Sequence, residues 1–254
     1  MKRDSGDEHS MREVAYLHIH KKIASRSLRA GDPVSEVAIA KELGISRTPT
    51  REAIRQLVAE GILEESPGRG VIVVNLDVRD ICELYEVREA LEVYAVDKIA
   101  RQLLGPVELN NLRQVAGEIR ELAEGLQRSG AEFLDADEMM HFEAADIGFH
   151  TYLIQIAGNR RSLKMVKGLR ALIRMVAMRR VGHRADDLLR IYQDHSDIVD
   201  AIEARDPARA TAVLSAHIRT SQQLRLEQFV QREREAALPH DMRAFLHQIQ
   251  AELG

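Results

Sequence analysis

The β-branched run Val71-Ile72-Val73-Val74-Asn75-Leu76 follows a turn sequence, Ser66-Pro67-Gly68-Arg69-Gly70, and splits the chain into two unlike parts. Short helical segments precede it, and almost everything after it has helical period. From Asp77 to Leu104, apolar residues recur at Ile81, Leu84, Leu91, Ala95, Ile99 and Leu103, with Asp77 in place as an N-cap and Gly105-Pro106 as the stop. Further helices are predicted from Pro106 to about Arg128, Phe133 to Ala157, Arg160 to about Arg180, Ala185 to Ala204 and Pro207 to about Ala236, with a last short one after Pro239. Gly158-Asn159 ends one of them, and Asp206-Pro207 opens another with a capping residue and a proline in the first turn. The predicted fold is mostly α: a winged helix-turn-helix over residues 1–76, then an antiparallel all-helical bundle of six or seven helices over residues 77–254.

Composition agrees with helices, since Trp is absent and aromatics make up 4%. No apolar run approaches the ~20 residues of a membrane span, and the N-terminus MKRDSGDEHS is charged, so a cytoplasmic protein with no membrane partner is expected. The single cysteine, Cys82, cannot form an internal disulfide, and its apolar neighbours mark it as a packed small hydrophobe. Net charge is −4, with 12 Lys and Arg against 11 Asp and Glu in residues 1–76 and 24 against 29 beyond. The sign asymmetry points to a polyanion site at the N-terminal end, but it is small, so local arrangement has to carry the case.

Within residues 11–76 the predicted order is helix, helix, tight turn, helix, hairpin. The first helix covers roughly Met11 to Ser27, with Val14, Leu17, Ile23 and Ala24 inward. A second runs from Ser35 to Leu43, Gly44-Ile45-Ser46 makes the turn, and a third runs from Arg47 to Glu60. Gly44 suits a left-handed backbone and Ser46 suits an N-cap. Arg47, Arg51 and Arg55 recur every four residues as one basic stripe. At the helix N-terminus Ser46, Arg47 and Thr48 are placed to hold phosphates, and Arg69, between two glycines at the hairpin tip, is placed to enter a neighbouring groove. Each element has a plainer reading: the stripe beside Glu52 and Glu60 is also what a solvated, ion-paired face looks like, and Pro67-Gly68-Arg69-Gly70 is also just a turn. Their order within one short stretch favours DNA.

In the second part, polar residues sit on apolar faces. Asp146 and His150 share the stripe of Phe142, Phe149 and Leu153; His195 lies among Ile191, Tyr192, Ile198 and Val199; His217 lies among Val213, Leu214, Ser221 and Leu224. A buried carboxylate needs a partner, and three inward imidazoles offer neutral nitrogens at the same core. A divalent metal satisfies all four together: Zn²⁺, or Ni²⁺ or Mn²⁺, among which the ligand set does not choose. Taken singly, each histidine reads better as a hydrogen-bonded core residue, and it is the convergence of four residues by periodicity that favours a metal. Arg88 shares the stripe of Ile81, Leu84, Leu91 and Ala95, with Glu92 one turn on, as either an internal ion pair or an anion clamp; Arg174, beside Leu169, Leu172 and Ile173, is a second effector-binding candidate. His9, His18, His20, His141, His183, His240 and His247 are expected at the surface.

The segments Gly31-Asp32-Pro33-Val34-Ser35-Glu36, Ala40 to Ile54, Leu57 to Gly61 and Arg69-Gly70 closely resemble the GntR family of bacterial transcription regulators. The resemblance implies operator contacts at Ser46, Arg47, Thr48 and Arg51, with Arg69-Gly70 as the wing. Two positions depart from it: Thr50 stands where the family usually has an aliphatic residue, and Val37 where some members carry a DNA-touching arginine. Across about residues 78–225, the pattern from Asp146 and Phe149-His150 through Ala157-Gly158-Asn159, His195, Ile198-Val199 and Arg205-Asp206 to His217 resembles the FCD effector domain of the FadR-like branch. That implies Asp146, His150, His195 and His217 as metal ligands, a small carboxylate effector completing the shell, and a homodimeric repressor of double-stranded operator DNA, not an enzyme. Two rivals stay open at this point: a metalloenzyme built on the same ligands, and a regulator whose metal is itself the signal or only structural.

Overall fold

The computed structural model describes residues 5–24, 27–177 and 183–237. Among these the order is α1 (Ser5–Ala24), α2 (Glu36–Leu43), α3 (Arg47–Ala59), β1 (Leu63–Ser66), β2 (Gly70–Val73), α4 (Val78–Ala100), α5 (Pro106–Ser129), α6 (Ala136–Ile156), α7 (Arg160–Ala177), α8 (Ala185–Glu203) and α9 (Pro207–Ala237). The short helix expected after Pro239, with His240 and His247, lies outside the described residues, as does the side chain of His9. No helix among the described residues is long and apolar enough to cross a membrane.

The N-terminal module is assembled by local signals. Ser35 accepts a hydrogen bond from Ala38 N, which starts α2, and Gly44 ends it in the left-handed region at φ 67°, its N–H turned back to the carbonyls of Ala40 and Lys41. On α1 the inner stripe is Ala15, Ile19 and Ile23, and Ile19 and Ile23 pack with Ile39, Ile54, Leu57, Ile62, Leu63 and Val73. Val14 and Leu17, expected inward, are 40% and 58% exposed, because a stripe at four-residue spacing leaves them on the outer face. Thr50 is fully buried, and its hydroxyl donates to Ser46 O at 3.2 Å, so the extra polar atom is satisfied within its own helix. Ser46 occupies the N-cap position of α3, yet its hydroxyl makes no capping bond. The wing is the antiparallel pair β1 and β2, with Leu63 opposite Val73 and Ser66 opposite Gly70. The second strand is shorter than expected, ending at Val73.

Among the described residues, six helices, α4 to α9, form the second part. α4 lies along α9, and α5 lies between α6 and α8, around a core that includes Tyr85, Val96, Ile99, Phe149, Leu153, Ile198 and Leu214. Two of them open with reciprocal capping boxes: Asp77 with Asp80 on α4, and Asp135 with Glu138 on α6. Two boundaries differ from expectation, the first set by the Asp135 cap. α6 begins at Ala136 rather than Phe133, and α4 stops at Ala100, leaving Leu103 in the following loop and 85% exposed. Cys82 is half-buried rather than a core residue.

Candidate metal centre

Asp146 and His150 come from successive turns of α6, His195 from α8 and His217 from α9. The three helices present these residues inward because their flanking positions, Ala145 and Phe149, Ile198 and Val199, Leu214 and Ile218, are buried. One donor atom from each of the four residues lies within 4.8 Å of the others. His150 Nε2 and His195 Nε2 stand 3.5 and 3.6 Å from the same oxygen, Asp146 Oδ1. The three rings are mutually adjacent, with centroids 4.9 to 5.1 Å apart, and His195 stacks flat on Phe149 at 4.0 Å.

Carboxylates behind two of the rings favour one tautomer of each, through a hydrogen bond at His217 and, at His150, through a close contact that lacks hydrogen-bond geometry. His150 Nδ1 lies 2.8 Å from Glu92 Oε2, and His217 Nδ1 lies 3.0 Å from Asp194 Oδ2. A carboxylate facing Nδ1 holds the proton there and leaves Nε2 as a lone pair facing the cluster, the arrangement in which a ligating histidine is oriented. His195 is fully buried, and neither ring nitrogen has a hydrogen-bond partner. Leaving a buried polar atom unpaired costs about 1–3 kcal/mol. A divalent cation with bonds of ~2.0–2.2 Å to nitrogen and oxygen supplies that partner, so the donor set fits an ion.

Beneath the cluster lies a buried ion network. Arg88 Nε donates to Glu92 Oε1 at 3.1 Å, Arg170 Nη2 donates to the same oxygen at 2.8 Å, and Arg170 Nη1 stands 3.6 Å from Asp146 Oδ2. Arg88 Nη2 also lies 3.1 Å from His150 Nε2. Burial pushes the Glu92 carboxyl up, but the guanidiniums of Arg170 and Arg88 and the His150 ring reverse this and hold it well below the usual carboxylate range. Asp146 is likewise held well below its ordinary value, burial being outweighed by His150 and Arg170. His195 is driven down by burial and then by His217 and His150; His217 is lowered by burial, with Asp194 opposing.

Residues 11–73 match the bacterial regulatory proteins of the gntR family, and residues 83–220 match the FCD domain. The chain is 34% identical over 197 residues to the probable D-xylose utilization operon transcriptional repressor of Paenarthrobacter nicotinovorans, covering 77% of this chain and 80% of that protein. The chain belongs to the GntR family and carries an FCD domain. It is also 27% identical over 208 residues to the gluconate operon transcriptional repressor of Bacillus subtilis, covering 80% and 79%. The fold is that of E. coli McbR/YncC, with a TM-score of 0.68 at 18% identity, covering 86% of this chain and 98% of that one. This GntR regulator is therefore a DNA-binding transcription factor whose relatives are regulators, not enzymes, which sets the metalloenzyme reading aside.

In this regulator Arg47, Arg51 and Arg55 lie exposed along α3, with Ser46 and Thr48 at its start. Arg47 and Arg51 pair with Glu36 of α2, at 3.5 and 3.2 Å, rather than with Glu52 or Glu60; Glu60 instead accepts from Tyr16. Arg69 and Gly70 are exposed at the wing tip, and Val37 is exposed on α2. Of the two alternatives for Arg88, the ion pair with Glu92 is present, and its Nη2 also lies against His150 Nε2. Arg174 lies on α7, but its side chain is outside the described residues; Arg170, one turn earlier, reaches the site, and the sequence reading passed over it. Asp194 was also missed. His183, expected at the surface, is half-buried, its ring 4.4 Å from that of Phe142, and burial followed by Arg225 lowers its pKa.

Three depressed histidines, His195, His217 and His183, give the metal-free protein a pH dependence with a definite sign. The unfolded chain binds protons near 6.5, the ordinary value for histidine, whereas these folded rings bind theirs only at lower pH. Stability is therefore lost as pH falls through 6.5, by up to about 1.4 kcal/mol per pH unit for each group. Melting curves in a chelator should move to lower temperature between pH 7 and pH 5.5; a flat profile over that interval would contradict the neutral, buried rings.

Proposed function

We propose that this protein represses transcription by binding a two-fold operator as a homodimer, and that a short organic acid, bound at a divalent metal held by Asp146, His150, His195 and His217, releases it. The observation carrying this reading is the fully buried His195, unpartnered at both nitrogens beside one carboxylate and two oriented imidazoles. The metal would be Zn²⁺, with Ni²⁺ or Mn²⁺ served by the same donors. Its chemistry there is to hold and polarise an oxygen of the effector. Charge supports an acid as that effector: in the ion network the carboxylates of Glu92 and Asp146 already face two guanidiniums, so an added divalent charge favours an anion in the remaining position. The two named relatives are repressors of sugar and sugar-acid operons, which accords with repression and a small metabolite.

On this reading residues 1–76 form the DNA head, touching the operator through Ser46, Arg47, Thr48, Arg51, Arg55, Arg69 and Gly70, and residues 77–254 form the effector domain. Two heads are needed because one short recognition helix gives little specificity. The protein works in the cytoplasm, where its operator is.

The link between the halves runs through α7. Arg170 is bonded to Glu92, and two residues further on Leu172 packs against the head cluster of Ile19, Ile54, Leu57 and Ile62. Tightening around an ion that shares Asp146 with Arg170 moves the same helix that supports the head. Operator binding measured by fluorescence anisotropy tests the whole. Metal-loaded protein should lose operator affinity about 5- to 150-fold when the right acid is added, and chelated protein should not respond. Loss with metal alone would make the ion the signal, and no loss in any panel of acids would sink the proposal. Leu172→Ala should bind operator and acid yet shift operator affinity several-fold less on adding acid; an undiminished response would exclude α7 as the link.

A further inference from the structure

Two small cavities, of about 60 and 50 Å³, open beside the proposed metal position and share Phe142, Asp146, Ser221 and Arg225 in their walls. At about 10–15 Å³ for each water-sized group, they hold roughly seven to eleven such groups between them. That is room for a three- or four-carbon acid.

The charges around these cavities are paired with one exception. Arg88 and Arg170 are bonded to Glu92, Asp194 to His217, and Arg190 stands 3.5 Å from Asp187. Glu143, also in the wall, has an interaction of its own. Arg225, on α9, is half-buried, and its Nη1 donates to the neutral amide oxygen of Gln228 at 3.1 Å. Its Nε is buried with no partner, and among the described residues no carboxylate pairs with it. It lies two turns along α9 from His217, with Ser221 between them, and that hydroxyl is already anchored 3.2 Å from Tyr85. Both cavities are thus walled by a proposed metal ligand, Asp146, and by an unmatched guanidinium, Arg225.

We propose that the effector is a short acid carrying a second anionic group, its first carboxylate at the metal and its second anion on Arg225 with Ser221 beside it. This rests on the reading of the cluster as an effector-bearing metal site. The guanidinium fork fits a planar carboxylate in two parallel hydrogen bonds and fits a phosphate equally well, so both sources of the second anion belong in the test.

Isothermal titration of the zinc-loaded full-length protein with succinate, phosphoglycolate and butyrate decides it. Succinate or phosphoglycolate should bind at least about tenfold tighter than butyrate, and the tighter of the two names the second group. In Arg225→Gln that advantage should collapse to within about twofold, while Arg225→Lys keeps part of it by retaining the charge. Operator binding reports whether each variant is folded. Equal affinity for butyrate and both dianions, or an advantage that survives in Arg225→Gln, overturns this inference and leaves the metal-site reading standing. If no acid binds the zinc-loaded protein while all bind operator normally, the metal-site reading falls and this inference with it.

Discussion

His195→Leu should raise the melting temperature of the metal-free protein and abolish the further rise that zinc produces in the parent. In the metal-free state the ring is fully buried with both nitrogens unpaired, so replacing it with an apolar side chain of similar size removes a penalty of about 1–3 kcal/mol. With metal the sign reverses. A ligand present at a thousand times its dissociation constant stabilises by about 4 kcal/mol, which is about 8–16 °C for a chain of this size, and deleting a ligand should cost more than the 10- to 100-fold loss of affinity seen when an outer-shell partner is removed. Melting curves with zinc and with chelator measure both effects together. A variant that still gains the parent's increment from zinc would show that His195 holds no ion.

Glu92→Gln should be the most damaging single change in the effector domain. The substitution keeps the shape and removes only the charge, leaving Arg88 and Arg170, 3% and 6% exposed, to share the single carboxylate of Asp146. Breaking one partner out of a buried ionic group typically costs about 3–5 kcal/mol, or roughly 6–20 °C in melting temperature. A second effect follows from the geometry. Glu92 also orients His150 through Nδ1, and without it Asp146 becomes the remaining carboxylate for Arg170 to pull on, so zinc affinity should fall about 10- to 100-fold. Thermal melts and competition against a chromogenic chelator give the two numbers. Melting within two or three degrees of the parent would mean that the network is dispensable.

The parts of this structure that were legible in the sequence are those written in local chemistry. Ser35, Gly44, Asp77 and Pro207 mark helix ends because capping and backbone strain act over three or four residues. The inward faces of α6, α8 and α9 could be read from period alone, and those faces carry the four cluster residues. Where the reading failed, a partner distant in sequence decided the outcome. Arg170 was passed over because only the packing of α7 beside α4 brings it to Glu92. Asp194, next to His195, looks outward by its own helix and is drawn in by His217 of α9. Arg47 and Arg51 take Glu36 from the neighbouring helix, a pairing that intrahelical spacing cannot show. On α1 the misplaced Val14 and Leu17 follow from choosing large apolar residues over Ala15, whose small side chain permits the close approach to α3.

The most direct measurement is a titration of the chelated protein with Co²⁺, followed by its visible absorption and then by addition of the acid that binds. One ion per chain should bind, with a spectrum typical of mixed nitrogen and oxygen ligands at low coordination number, and the acid should change that spectrum as it enters the ion's shell. No binding, or a spectrum that the acid leaves untouched while operator is still released, would contradict a metal-held effector at Asp146, His150, His195 and His217.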